Sequence, residues 1–350
     1  MPDSGRGALD ESLERLALCR SRIGSLPPQP RTLRGAVGML GVKLVRRLLF
    51  WFIRQVEEFC EASIAVAEQQ ASIAPRRSED FFRWRLAERL EPRPRAIAAG
   101  DIVATEIEGF ILGIPASEWR MAAYYTFRGH LEPGLVRYLE RTVAPGAVFV
   151  DAGANIGIVT LVAARLAGPR GKVYSFEPAP HTFAILKDNI QVNGFLESGR
   201  IDFRELALAD RTGEAPFFVY AADSGHNTLF AGGGPADRIQ VKTAALDDVL
   251  APGTRVDAIK IDAEGAEPLI WRGMRRVLAD NPDVTVILEF DPGHLARAGS
   301  GAAAFLDEIE EAGFAVSRIE EPSGELRPAP REALLAGGTV NLVARRNGRR

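Results

Sequence analysis

The apolar run Val148-Phe149-Val150 passes without a break into Asp151-Ala152-Gly153-Ala154-Asn155-Ile156-Gly157, and a second apolar run follows directly. A strand with one wet face alternates apolar and polar residues, so an unbroken apolar strand is one covered on both faces. Glycines four apart let the chain turn sharply and start a helix close against that strand. Such a unit is stable only among parallel neighbours roofed by helices. The residues after it repeat the alternation. Helices are expected at 131–142, 156–166, 181–192, 268–278 and 303–312. Strands are expected at 173–176, 201–206, 258–261, 284–290, 314–319 and 340–344. The predicted fold class is α/β, a doubly wound and mostly parallel sheet. The last two strands leave little room for a helix between them, which predicts an antiparallel edge. Upstream, shorter alternating segments between residues 101 and 127 suggest two or three strands leading into the sheet.

Length and charge set the organisation. At 350 residues the chain exceeds one comfortable core. Residues 1–96 hold 17 Lys and Arg against 12 Asp and Glu, whereas the remainder holds 26 against 34. With the break at Glu91-Pro92-Arg93-Pro94, residues 1–96 are expected to form a helical N-terminal extension and residues 97–350 the α/β domain. Six basic residues and no acidic one lie from Arg31 to Arg54, with Leu40, Leu44, Leu48, Trp51 and Phe52 at near-helical spacing. Residues 31–54 therefore read either as a helix packed on protein or as a peripheral helix resting on anionic lipid. A net charge of -3 gives no reason to expect nucleic acid. Two cysteines, Cys19 and Cys60, cannot build a disulfide framework, and no zinc-type spacing is present. Asp3, Asp10, Glu11 and Glu14 precede any apolar run, unlike a signal peptide, and no run reaches the roughly 20 apolar residues of a spanning helix. These features predict a cytoplasmic protein, at most peripheral at the inner face of the membrane.

The glycine turn sits where open α/β sheets bind ligands, at the carboxyl end of a strand. Ser175-Phe176-Glu177-Pro178 places a second carboxylate at the tip of the next strand, 26 residues after Asp151, in position for ribose hydroxyls. A dinucleotide fingerprint needs a middle glycine to admit pyrophosphate. Here Asn155 stands there and Asp151 adds negative charge, so a cationic amino-acid tail suits the turn better than pyrophosphate. That favours S-adenosylmethionine over NAD. Asp151, Gly153, Asn155, Gly157, Glu177 and Pro178 are the expected cofactor contacts. Ala207 and Leu208, just after the third strand, would line the adenine by position.

The stretches Phe149–Gly157, Phe176-Glu177-Pro178, Asn189–Asn193 and Ile259-Lys260-Ile261-Asp262-Ala263-Glu264-Gly265-Ala266-Glu267 resemble the FkbM family of S-adenosylmethionine-dependent methyltransferases. Glu289-Phe290-Asp291-Pro292 adds the family's late strand-end motif. The likeness covers residues 130–295. It implies a class I methyltransferase sheet and O-methylation, often of sugar hydroxyls. It also implies that Glu132, ahead of the first domain helix, reaches the cofactor amino group. Ala263 stands where valine is commoner.

Asp262, Glu264 and Glu267 gather at one strand end, which is electrostatically costly unless a cation neutralises them. The cofactor's sulfonium and amino group, Lys260 and a divalent ion are the available cations, and no metal ligand set is assigned. Asp262 is expected to contact the cofactor amino group or help deprotonate the acceptor. Glu264 is the second candidate base, and Glu267 a helix-start carboxylate. Glu289 reads either as facing the acceptor or as a polar strand end. His226 reads as a base, as a sugar contact or as a solvent-facing loop residue. His181 reads as structural, and His294 and His130 have no partner visible in the sequence. The predicted function is O-methylation of a hydroxyl-bearing acceptor, a carbohydrate in a bacterial glycan or glycosylated metabolite. Two rivals are an NAD-linked oxidoreductase and a catalytically silent cofactor-binding scaffold in a membrane-associated glycan assembly.

Overall fold

The computed structural model describes residues 96–346, apart from 100–101, 119–120, 123–124, 126–131, 221–223 and 232–235. The expected helical extension, the basic stretch 31–54 and His130 lie outside the described residues. Strand β1 begins at Ala96, one residue inside the extension as drawn from the sequence.

Three short strands come first as an antiparallel meander: β1 (Ala96–Ala99), β2 (Ile102–Ile107) and β3 (Phe110–Pro115). Helix α1 (Pro133–Thr142) leads into the main sheet. Then β4 (Val148–Ala152), α2 (Ile158–Ala167), β5 (Lys172–Phe176), α3 (Pro180–Val192) and β6 (Ile201–Arg204) follow in right alternation. The chain next forms β7 (Ala207–Leu208), β8 (Gly213–Val219), β9 (Asp237–Ala244) and the short α4 (Leu246–Val249). It returns to the main sheet with β10 (Ala258–Ile261), α5 (Glu267–Arg272), α6 (Arg275–Asp280) and β11 (Thr285–Phe290). The last elements are α7 (Pro292–Arg297), α8 (Ala302–Glu311), β12 (Phe314–Ile319), β13 (Leu326–Pro328), α9 (Arg331–Ala336) and β14 (Val340–Arg346).

The main sheet has the order β13-β12-β14-β11-β10-β4-β5-β6. Strands β6, β5, β4, β10 and β11 are parallel, and β14 runs antiparallel to both β11 and β12. This is the expected doubly wound, mostly parallel α/β sheet, with an antiparallel strand near one edge. The edge was expected from a short final connection, but that connection holds β13 and α9, and β14 still enters antiparallel.

Strand periodicity assigns each side chain to a face. Phe149, Val173, Ile287 and Val343 pack with α1, α2, α3 and the leading meander. Val150, Ile259, Ile261, Leu288 and Leu342 pack on the other face with α5, α6 and α8, where Trp271 meets Phe305 and Phe314 edge-on. Both faces are dry, as the unbroken apolar strands require. Asn189 of α3 fastens the meander to this core. Its amide accepts from Gly113 N–H at 2.7 Å and donates to the carbonyls of Gly113 and Ile156.

Two features depart from the sequence reading. The single helix expected at 268–278 is α5 and α6, broken at Gly273, where a Cβ would lie 1.9 Å from the Ala209 carbonyl oxygen. A second small sheet, β7-β9-β8, was not anticipated. Pro216 lies within β8, which it tolerates because β8 is an edge strand.

Candidate cofactor and acceptor site

Strand order reverses between β4 and β10, and the crevice at their carboxyl ends is where an open sheet binds its ligand. The two strand ends meet closely there. Asp262 N–H donates to the Ala152 carbonyl at 3.0 Å, and Gly153, at φ +85°, runs against the Asp262 carbonyl. The glycine turn rises over a partly open cavity of about 250 Å³.

Two kinds of lining divide this cavity. Phe176, Leu206, Ala207 and Leu208 form an apolar side, with Glu177 and Pro178 following directly on Phe176. Glu132, Lys260, Asp262, Glu264 and Glu289 form a charged side, with Gly153 and Asn155 between the two. Period-two placement explains the charged side, because Lys260 alternates with Ile259 and Ile261, and Glu289 with Leu288 and Phe290. Asn341 of β14 sits directly opposite Glu289 and donates to Glu132 Oε2 at 2.7 Å. Glu132 is also set by its helix, since Glu321 accepts the Gly134 and Leu135 N–H groups at the start of α1.

Buried charge dominates the electrostatics. Lys260 Nζ meets Asp262 Oδ2 at 2.6 Å. Burial opposes the ammonium, but Asp262, Asp151 and Glu132 outweigh it and hold the pKa of Lys260 above its ordinary value. Glu132 is raised chiefly by burial. Glu264 is pushed up to about 9 by burial and then by the carboxylates of Glu289, Asp262 and Glu267. Glu267, at the first position of α5, is buried and raised to about 7, mainly by desolvation. Its carboxylate accepts the N–H groups of Ala263 and Gly265, so it braces the turn and does not line the cavity.

Most residues singled out from the sequence come together. Glu132, Gly153, Asn155, Glu177, Pro178, Ala207, Leu208, Asp262 and Glu264 all line the cavity. Asp151 and Gly157 do not. Asp151 shares a face with Phe149, so its side chain turns under α2, where it is fully buried and accepts from Thr160 Oγ1 at 2.6 Å. Gly157 caps α2 at φ +97° and approaches Leu186, not the cavity. Glu177 is largely committed to the backbone, accepting N–H from Asn155 at 2.9 Å and from Ala179 at 3.0 Å. Asn155, itself left-handed at φ +49°, turns its Oδ1 to the Ile156 N–H and to Ser224 Oγ. Exposed His226 does not line the cavity, although Ser224, Gly225 and Asn227 beside it do. His181 is an exposed residue of α3.

Sequence reasoning missed two groups. Glu118 is buried and accepts from both the N–H and the hydroxyl of Ser224, tying the leading meander to the cavity rim. His294, read as partnerless, lies 2.8 Å from Glu264 and 3.6 Å from Glu289.

Residues 151–316 match the family model described as the methyltransferase FkbM domain. The chain is 30% identical over 179 residues to the 31-O-demethyl-FK506 methyltransferase FkbM of Streptomyces tacrolimicus, covering 40% of this chain and 67% of that protein. The chain belongs to the FkbM methyltransferase family. Methyltransferase 1 of Beauveria bassiana is 28% identical over 194 residues, covering 49% of this chain and 74% of that protein. A solved S-adenosylmethionine-dependent O-methyltransferase from Thermotoga maritima is 14% identical, with a TM-score of 0.36, and spans 73% of this chain and 86% of that one. Membership of the FkbM family makes the chain an S-adenosylmethionine-dependent methyltransferase and disfavours the NAD-linked and silent-scaffold readings. Among the described residues no helix is long and apolar enough to cross a membrane.

Proposed function

We propose that this chain methylates a hydroxyl oxygen of a sugar-bearing acceptor, in a bacterial glycan or a glycosylated metabolite. The observation that carries this reading is the division of one cavity into an apolar side at Ala207 and Leu208 and a carboxylate-rich side at Glu132 and Asp262. An adenosyl group suits the first and a cationic amino-acid end the second. When bound, S-adenosylmethionine supplies an electrophilic methyl group. Glu132, oriented by Asn341, receives the amino group, and Glu177, also on the cavity lining, takes the ribose. Gly153 and Asn155 shape the turn between them. Asp262, with Lys260 holding one oxygen, keeps the other for the amino group or the acceptor proton. Glu264, on the cavity lining beside Asp262, contacts an acceptor hydroxyl. The printed name of the S. tacrolimicus relative describes an O-methylation, which supports oxygen as the acceptor atom.

Calorimetry with S-adenosylmethionine and S-adenosylhomocysteine tests the cofactor assignment, and both are expected to bind once per chain. Asp262→Asn is expected to lower the turnover of methyl transfer to extracted glycan at least about tenfold. Undiminished transfer would remove Asp262 from the chemistry. An acceptor without hydroxyls that outcompetes glycan would overturn the acceptor class.

The domain boundary is part of the same proposal, with the catalytic domain beginning at β1. Deleting residues 1–94 is expected to leave S-adenosylhomocysteine affinity within about threefold of the full chain, under 1 kcal/mol. Loss of both folding and binding would place the boundary earlier. Residues 31–54 are the proposed contact with a membrane surface or another protein, read out by sedimentation of the full chain with anionic vesicles.

A further inference from the structure

On the charged side of the cavity, Glu264, Glu289 and His294 present three ligand atoms within 4.8 Å of one another. They come from three different elements: the turn after β10, the end of β11 and the first turn of α7. His294 is anchored at its backbone, where its N–H donates to Asp291 Oδ1 at 3.0 Å. Glu264 is fixed by a left-handed backbone, φ +52°, and by Thr228, whose hydroxyl donates to its carbonyl at 2.8 Å.

Two features single this cluster out from ordinary acidic surface. Glu264 Oε2 and His294 Nδ1 are both shut off from solvent, and neither completes a hydrogen bond, although they lie 2.8 Å apart. The local charge is also thinly balanced. Lys260 is engaged by Asp262, and Glu267 is satisfied by backbone N–H groups, leaving Glu264 and Glu289 to share the one imidazole of His294.

We propose that Glu264, Glu289 and His294 form a binding site for one divalent transition-metal ion at the acceptor end of the cavity. One imidazole nitrogen and two carboxylate oxygens suit Mn²⁺, Fe²⁺ or Zn²⁺ better than Ca²⁺, which prefers an all-oxygen shell. Three protein ligands leave positions open for water or for an acceptor hydroxyl. Glu264 and Glu289 line the cavity and His294 does not, so the ion would be held from behind with its open face toward the acceptor. The site deepens the methyltransferase reading at its acceptor end but does not depend on it, because metal binding is measured without cofactor.

The test uses the full chain after chelator treatment, titrated with Mn²⁺ and separately with Zn²⁺, following heat and, for Mn²⁺, the loss of the free-ion paramagnetic resonance signal. One ion per chain is expected. His294→Ala and Glu289→Gln are each expected to weaken Mn²⁺ binding at least about tenfold, the lower end of the loss that follows when only a ligand's hydrogen-bond partner is removed. S-adenosylhomocysteine binding by His294→Ala, measured in the same preparation, separates a lost metal ligand from misfolding. No binding of either ion would overturn the site, as would binding indifferent to both substitutions. Failure of the wild type to bind S-adenosylhomocysteine would instead strike at the cofactor reading and leave the metal result standing.

Discussion

Gly153→Ala is expected to destabilise the domain by more than about 4 kcal/mol, the range reserved for changes the backbone cannot absorb. The new Cβ would lie 1.8 Å from the Asp262 carbonyl oxygen and 2.9 Å from its carbonyl carbon. Both are main-chain atoms at the end of β10, a central strand paired with β4 and β11, so the obstacle cannot rotate away. The φ of +85° adds strain for any L side chain. Gly199→Ala supplies the control. That glycine also has a positive φ, +63°, in the left-handed helical region, but meets nothing within 4 Å, so only the conformational cost of about 1–2 kcal/mol applies. Urea denaturation of the two variants should show midpoints that differ widely. Equal midpoints would mean that β4 and β10 do not approach as described.

That contact shows how far the sequence could be followed. The glycine was legible as a tight turn beside a ligand, and it does line the cavity. That it also runs against the end of the next parallel strand only the strand order reveals. Strands at 258–261 and 314–319 were bounded correctly because apolar runs end there at charged residues or glycine. Strands β8 and β9 escaped notice because Gly213, Glu214, Asp237 and Arg238 dilute their alternation and a long connection separates them. Asp151 was placed at the right strand end but on the wrong side. Counting by twos from Phe149 puts it under α2 with Thr160, a reading that strand periodicity alone supports. No such count finds His294. Its partner Glu264 lies on a separate strand end, and only the pairing of β10 with β11 brings them together.

The folded protein is also expected to lose stability as pH rises from about 4.5 to about 7, and Glu177→Gln should remove part of that loss. Burial pushes the Glu177 carboxyl up to about 7. The N–H groups of Ala179 and Asn155 oppose the rise, and Asp151 and Glu118 add to it. In the unfolded chain the group titrates near its ordinary 4.5. Between those values the folded state holds the proton that the unfolded state has released, so each step upward in pH favours unfolding. The loss begins near 4.5, is complete above about 7, and amounts to about 3 kcal/mol at most for this group. Glu267, raised to about 7 by the same burial, contributes with the same sign, and Glu264 extends the fall toward pH 9. Asp202 and Asp291 are lowered and act in the opposite direction, but only at pH below their ordinary range. Urea denaturation at pH 5 and pH 8 isolates the effect, because glutamine keeps the shape and carries no titratable proton. The difference between the two pH values should shrink by about 2 kcal/mol in Glu177→Gln, leaving the share of Glu267 and Glu264 in place. An unchanged difference would mean that Glu177 ionises freely in the folded protein, and that its end of β5 is wet.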